Sequence, residues 1–183
     1  MNKKFKNINN NKILNYYQLN KFFYKTSKQI PFIKKITTNF DQKSTNFKQI
    51  TAAHLALEIL FFQKSIFTEI NQSNVIYKIK KGQPVGCKIT INNKIKTIET
   101  LNILLKVLIE NENDINLKIN KLKHNTLNFS ILEIYNCNKL ENYYLLFNKL
   151  KKLNVSFVIS SKNKSYNESL YLIHIILFKV AQI

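Results

Sequence analysis

The chain has 183 residues, 45% of them hydrophobic, which is enough to bury a core and excludes a disordered tail. Its formal net charge is +19, from 29 basic residues against 10 acidic ones. Self-repulsion on that scale argues against an ordinary free globular protein and for a polyanionic partner that neutralises it.

Residues 1–11 are polar. From Lys12 to Lys28 the apolar positions Ile13, Leu14, Tyr17, Phe22 and Phe23 predict a helix closed by Pro31, because the residue before a proline is pushed out of helical geometry. Phe32–Phe40 reads as a strand on local propensity, although neither alternating face is cleanly apolar. After a polar turn at 41–45, a helix is expected from Phe47 to Phe62 with Ala52, Leu55, Ala56, Ile59 and Leu60 as its buried stripe. Ser65–Asn71 and Gly86–Asn92 read as extended; in the second, Cys87, Ile89 and Ile91 alternate with Lys88 and Thr90. Thr97–Glu110 is an amphipathic helix through Leu101, Leu104, Leu105, Leu108 and Ile109. Leu127–Ile134 and Val155–Ser160 read as strands, Leu140–Leu150 as a helix or compact insertion, and Tyr166–Phe178 as a terminal helix. The expected class is α+β: a mixed, mainly antiparallel sheet with helices packed on one face, the other face free for RNA, and a protruding basic hairpin loop. We divide the chain into an N-terminal extension and helix, 1–30, and a single RNA-binding domain, 31–183, with a divergent segment at about 111–153.

Every basic residue is a lysine; there is no arginine, and asparagine is abundant. The protein therefore cannot form the planar, two-pronged contacts that guanidinium makes with phosphate or guanine. Directional recognition falls to Asn, Gln and Thr, and lysine supplies mobile point charge. The residues favoured here are those with codons poor in G and C, as in many organellar genomes. The start of the chain lacks a signal-peptide core and the arginines of a presequence, which fits synthesis inside the compartment of use. Cys87 and Cys137 stand alone and lack zinc spacing, so both are expected in or near the core. The apolar run Leu170–Phe178 is too short for a membrane span.

The chain's only glycines, Gly82 and Gly86, flank Pro84 within five positions, in a stretch with no acid between Glu69 and Glu99. A constrained turn or close contact with a partner is expected there. The phrase Lys78-Ile-Lys-Lys-Gly-Gln-Pro-Val-Gly-Cys-Lys-Ile-Thr closely resembles the signature of the ribosomal large-subunit protein number five family, which holds 5S rRNA in the central protuberance. Lys80 stands where that family usually has arginine. Two earlier phrases follow the family's order. Ile30-Pro-Phe-Ile-Lys-Lys-Ile-Thr-Thr-Asn is similar to its first strand, and Ala52–Leu60 with Phe61-Phe-Gln-Lys-Ser is similar to its helix and the Gly-Gln-Lys-Pro turn behind it. Phe62 replaces the glycine of that turn and Ser65 its proline. The likeness runs from about residue 30 to 110, resumes at Val155–Ser161, and is poor between Asn111 and Leu153.

The resemblance implies that 5S rRNA meets Asn39, Gln63, Lys64, Lys88 and Thr90. It also implies that a loop of about 73–85, with Tyr77, Lys78, Lys80, Lys81, Gly82, Gln83 and Pro84, faces peptidyl-site tRNA. The chemistry suits this: amides donate and accept, threonine can meet a ribose hydroxyl, and lysine neutralises phosphate. The implied partners are 5S rRNA or a divergent equivalent, large-subunit rRNA, peptidyl-site tRNA and neighbouring proteins of the central protuberance, with no cofactor, metal or membrane. A mitochondrial ribosome is the expected setting, with a plastid or reduced bacterial ribosome as the alternative. An RNA-processing or RNA-modifying enzyme would need a cofactor loop or converging acids. Asp41, Glu58 and Glu69 form no such pattern, and His54, His124 and His174 fall in three separate elements. A membrane-surface protein would concentrate its cations on one helix, whereas nine lysines and no acid precede Asp41.

Overall fold

The computed structural model describes residues 15–26, 29–41, 46–73, 75–76, 79–110, 120–123, 126–132, 134, 137–150, 152–160 and 171. Residues 15–21 form helix α1. Then come β1 (Phe32–Asp41), α2 (Phe47–Phe61), β2 (Ile66–Glu69), β3 (Pro84–Ile91) and α3 (Lys94–Glu110). The chain continues through β4 (Asn120–Lys123), β5 (Thr126–Ile131), α4 (Asn138–Glu141), α5 (Tyr144–Phe147) and β6 (Leu153–Ser160). The fold is α+β, with one six-stranded sheet in the order β2-β3-β1-β6-β5-β4. All five pairings are antiparallel, so the expected mixed character is absent among them.

The central strand β1 is the one whose alternation was blurred in the sequence, and its pairing with β6 explains why. A register shift between Ile33 and Lys35 sets Ile33 opposite Ile159 and Ile36 opposite Phe157, so two isoleucines of opposite parity reach the same face. Beyond the shift, Ile36, Thr38 and Phe40 are fully buried. They pair with Ile91, Ile89 and Cys87 on one side and with Phe157, Val155 and Leu153 on the other. The Thr38 hydroxyl is buried with no hydrogen-bond partner among the described residues, a placement that costs about 1–3 kcal/mol.

The helices cover this apolar face. Asn46 caps α2 by accepting from the Lys48 N–H at 3.2 Å, and Asn93 accepts from the Ile95 N–H at 3.0 Å in the first turn of α3. The buried stripe of α2 is Ile50, Ala53, Ala56, Leu57, Leu60 and Phe61. That corrects the expected stripe: Ala56 and Leu60 belong to it, Ala52 and Ile59 lie at its margin, and Leu55 is exposed. A helix as apolar as this offers two plausible faces, and contact with β3 and with α4 and α5 selects one. In α3, Leu101, Leu104 and Val107 are buried, together with Thr97 and Thr100. The side chains of Leu105, Leu108 and Ile109 lie outside the described residues. The compact insertion resolves into two single turns, α4 and α5, whose Leu140 and Phe147 reach the core. Cys87 and Cys137 are both buried and neither forms a disulfide.

The N-terminal helix is shorter than expected. After residue 21 the chain bends, and the Gln29 side chain accepts from the Lys25 N–H at 2.9 Å and the Thr26 N–H at 3.4 Å, holding that turn well before Pro31. Of the expected terminal helix, only Tyr171 is described; it is helical and meets Phe22 edge-on at 5.5 Å. No described helix is long and apolar enough to cross a membrane.

Candidate nucleic-acid interface

A strand that gives one face to a core turns its alternate residues to the other face. Here those residues are almost all small polar groups, aligned across the strands. One row runs Asn128, Ser156, Thr37 and Thr90 through β5, β6, β1 and β3. The next runs Ser130, Asn154, Asn39, Lys88 and Ile66 through β5, β6, β1, β3 and β2. With strands about 4.8 Å apart, four positions in each row present donors and acceptors over roughly 14 Å. Neither row contains a carboxylate. Helices α2 to α5 pack on the opposite face.

Three of the expected 5S rRNA-binding residues, Asn39, Lys88 and Thr90, fall in these rows, with Asn39 directly opposite Lys88. Lys88 is exposed, and Asn39 and Thr90 are half-buried by their neighbours in the sheet. Gln63 and Lys64 lie at the sheet's edge. Strand β2 pairs with β3 only as far as Lys88, and beyond its end the Gln63 side chain donates to the Thr90 carbonyl oxygen at 3.2 Å. Gln63 thus ties the turn after α2 to β3, a role distinct from helix capping, and Lys64 beside it is exposed. The other end of the turn is fastened where the Ser65 N–H donates to Glu58 Oε1 at 3.0 Å.

Phe62 closes α2 in the left-handed region, with φ 51° and ψ 37°, its N–H donating to the Glu58 carbonyl at 2.9 Å. For a residue with a β-carbon that conformation costs about 1–2 kcal/mol, which is why glycine usually occupies it. The ring gains little burial in exchange: Phe62 is 76% exposed. Lys139 of α4 sets its ammonium 4.4 Å from the ring centroid. A shallow depression beside the ring is lined by His54, Glu58, Phe62, Gln63 and Lys64. His54 stacks on Phe67 with ring centroids 4.6 Å apart, and its Nδ1 lies 3.6 Å from Glu58 Oε1, a packed imidazole as expected. His124 and His174 lie outside the described residues.

The segment between β2 and β3 holds the residues expected to face tRNA. Tyr77 and Lys78 lie outside the described residues. Lys80–Gln83 form a tight turn in which the Gln83 N–H donates to the Lys80 carbonyl at 3.2 Å, with Gly82 at φ 81° in the third position, where a type II turn requires glycine. The Gln83 side chain accepts from the Lys80 N–H at 2.9 Å and reinforces it. Lys80, Lys81 and Gly82 are exposed, and Gln83 and Pro84 are half-buried. Gly86 makes its close approach within the sheet itself. A β-carbon there would collide with the Phe40 carbonyl oxygen and press on Thr68 Oγ1 at 3.0 Å, so its absence lets β1, β2 and β3 close up.

Reasoning from the sequence missed Asn128, Ser130, Asn154 and Ser156. The signal for β6 was present in the strict alternation of Leu153, Val155, Phe157 and Ile159 with Asn154, Ser156, Val158 and Ser160. Among the described residues, no group of three or more His, Cys, Asp or Glu side chains could hold a metal ion.

Comparison with curated proteins finds relatives among large ribosomal subunit proteins. The chain is 30% identical over 152 residues to the large ribosomal subunit protein uL5m of Reclinomonas americana, covering 80% of this chain and 82% of that protein. It is 40% identical over 91 residues to uL5 of Nitrosomonas europaea, covering 49% and 50%, and 36% identical over 78 residues to uL5 of Wigglesworthia glossinidia brevipalpis, covering 42% and 44%. The matched region thus spans about half the length of these two bacterial relatives. No protein-family profile matches the chain.

Proposed function

Because the chain belongs to the uL5 family of large ribosomal subunit proteins, we propose that it is a structural constituent of a mitochondrial large subunit, with the open face of its sheet gripping 5S rRNA or a divergent equivalent. The observation that carries this reading is the pair of cross-strand rows of amides and hydroxyls, with the Lys88 ammonium and no carboxylate. Such a surface suits sugar and phosphate oxygens and the edges of exposed bases. Asn39 and Thr90 make the directional contacts, Lys88 and Lys64 neutralise phosphate, and Gln63 fixes the turn that presents Lys64. Nothing is catalysed; the relatives are ribosomal proteins, and the polar rows form an open surface. The mitochondrial setting draws on the Reclinomonas protein, whose match extends over most of both chains.

The loop between β2 and β3 extends this role to peptidyl-site tRNA. The turn at Gly82 presents Lys80 and Lys81 to solvent, and Tyr77 and Lys78 complete the basic segment. Large-subunit rRNA and neighbouring proteins of the central protuberance complete the surroundings, the latter against the divergent 111–153 segment.

Sedimentation tests the assignment. The full-length chain is expected to travel with the large subunit at moderate salt and to leave it together with a small RNA as monovalent salt rises, since each neutralised phosphate adds about 0.7–0.9 to the slope of log affinity against log salt. A chain that sediments free of the subunit at every salt concentration contradicts it.

A further inference from the structure

Within the described residues the exposed ring of Phe62, carried on a left-handed backbone, is met by the Lys139 ammonium and gains little else from folding. Folding gains little from a phenyl group that is 76% exposed, and φ 51° penalises any side chain there. We propose that Phe62 is a stacking platform for an unpaired RNA base, with Lys139 and Lys64 placed to meet the flanking phosphates. The inference rests on the ribosomal RNA reading above and identifies an additional contact at the edge of the same surface.

Three observations single out RNA as the occupant. The first is the charge around the ring. The ammonium of Lys139 lies 4.4 Å from the ring centroid, Lys106 is close enough to repel Lys139, and Lys64 is exposed two residues along the turn. Burial, with the Lys106 charge second, holds the Lys139 ammonium below its ordinary pKa, and an arriving phosphate would offset the Lys106 repulsion. The second is the balance of charge: among the described residues that line the depression Glu58 is the one carboxylate, and Lys64, Lys139 and Lys106 outnumber it. The third is continuity. Gln63, the next residue, is bonded to the Thr90 carbonyl, so the ring stands at the rim of the polar rows, beside the depression lined by His54, Gln63 and Lys64. Most of the ring is open to solvent, and every base has a flat face that can stack on it.

The test is fluorescence binding of the full-length chain to a short single-stranded RNA and to the duplex of the same sequence. Wild type is expected to prefer the single strand, and Phe62→Gly to bind it about tenfold more weakly with the duplex unaffected. Glycine suits the left-handed conformation, so the melting temperature of Phe62→Gly should be equal to or above that of wild type. Phe62→Tyr, which keeps the flat face, should restore single-strand affinity, and Phe62→Leu should not. If wild type binds the RNA and Phe62→Gly binds both forms equally well, the platform is overturned and the ribosomal reading stands. If wild type binds neither RNA, both are overturned. Large subunits assembled with Phe62→Gly that lose a protein neighbour, while the variant keeps its affinity for single strands, overturn the platform in favour of a protein contact.

Discussion

Gly86→Ala is expected to destabilise the protein by about 3 kcal/mol, the upper end of what overpacking a well-filled site costs. The added methyl group meets the backbone carbonyl of Phe40, which cannot rotate away as a side-chain end could. Relief requires β1 and β3 to separate where Asp41 faces Gly86 and Phe40 faces Cys87, one pair from the Asn39–Lys88 pair. The cost therefore reaches the polar rows as well as the core. Gly82→Ala is the natural contrast. Nothing lies within 4 Å of a β-carbon at Gly82, so only the positive φ resists, at about 1–2 kcal/mol. Urea unfolding with unchanged slope measures both, and a Gly86→Ala midpoint no lower than that of Gly82→Ala contradicts the account.

The second large effect is on binding. Lys88→Glu places a carboxylate in a row that has none, facing Asn39 on one side and Ile66 on the other. It removes a charge-assisted contact worth about 1.5–3 kcal/mol and adds repulsion, so affinity for the cognate rRNA should fall roughly a hundredfold. The slope of log affinity against log salt should flatten by about one phosphate. Lys88 is exposed, so stability should change by no more than about 0.5 kcal/mol. Lys96→Glu, at an exposed position on α3 in the helical layer, makes the same change of charge and should leave the affinity nearly unchanged. Equal losses from the two substitutions, measured by filter binding, would mean that net charge rather than the open face governs recognition.

How much of this was legible in the sequence depended on whether the signal was local. The alternation of Cys87, Ile89 and Ile91 with Lys88 and Thr90 is a local property, and it placed Lys88 and Thr90 on the polar face correctly. The turn at Gly82 was legible as well, because a chain with only two glycines needs them where they stand, whereas the close approach of Gly86 to Phe40 depends on which strands pair and was not. Strand β1 was harder. Its shift at Ile33–Lys35 breaks the parity rule, and only the partner strand reveals that Ile33 and Ile36 share a face. The stripe of α2 was misjudged because Ala and Leu residues surround the helix, and packing against β3, α4 and α5 decides between faces that periodicity leaves nearly equal.

The site was legible in part for the same reason. Asn39, Gln63, Lys64, Lys88 and Thr90 came from phrases that resemble a family, and the sheet brings Asn39, Lys88 and Thr90 together by register. The extension through Ser156, Asn154, Asn128 and Ser130 depends on β6 lying beside β1 although more than a hundred residues separate them in the chain, and such pairing is a tertiary fact. Gln63 was named from the resemblance alone, and its bond to the Thr90 carbonyl exists only because β2 stops short of that position. Phe62 stood out in the sequence only as a departure from glycine; its exposure and left-handed backbone make it a candidate contact.

The central claim is that the open face of the sheet holds large-subunit RNA. Ultraviolet crosslinking of native particles, with sequencing of the attached RNA and mapping of the modified peptides, tests it most directly. The account predicts a small 5S-like rRNA or its large-rRNA counterpart joined to peptides that contain Asn39, Lys88 and Asn154. Recovery of no ribosomal RNA, or of ribosomal RNA joined only to peptides of α3 and α5 in the helical layer, would contradict it.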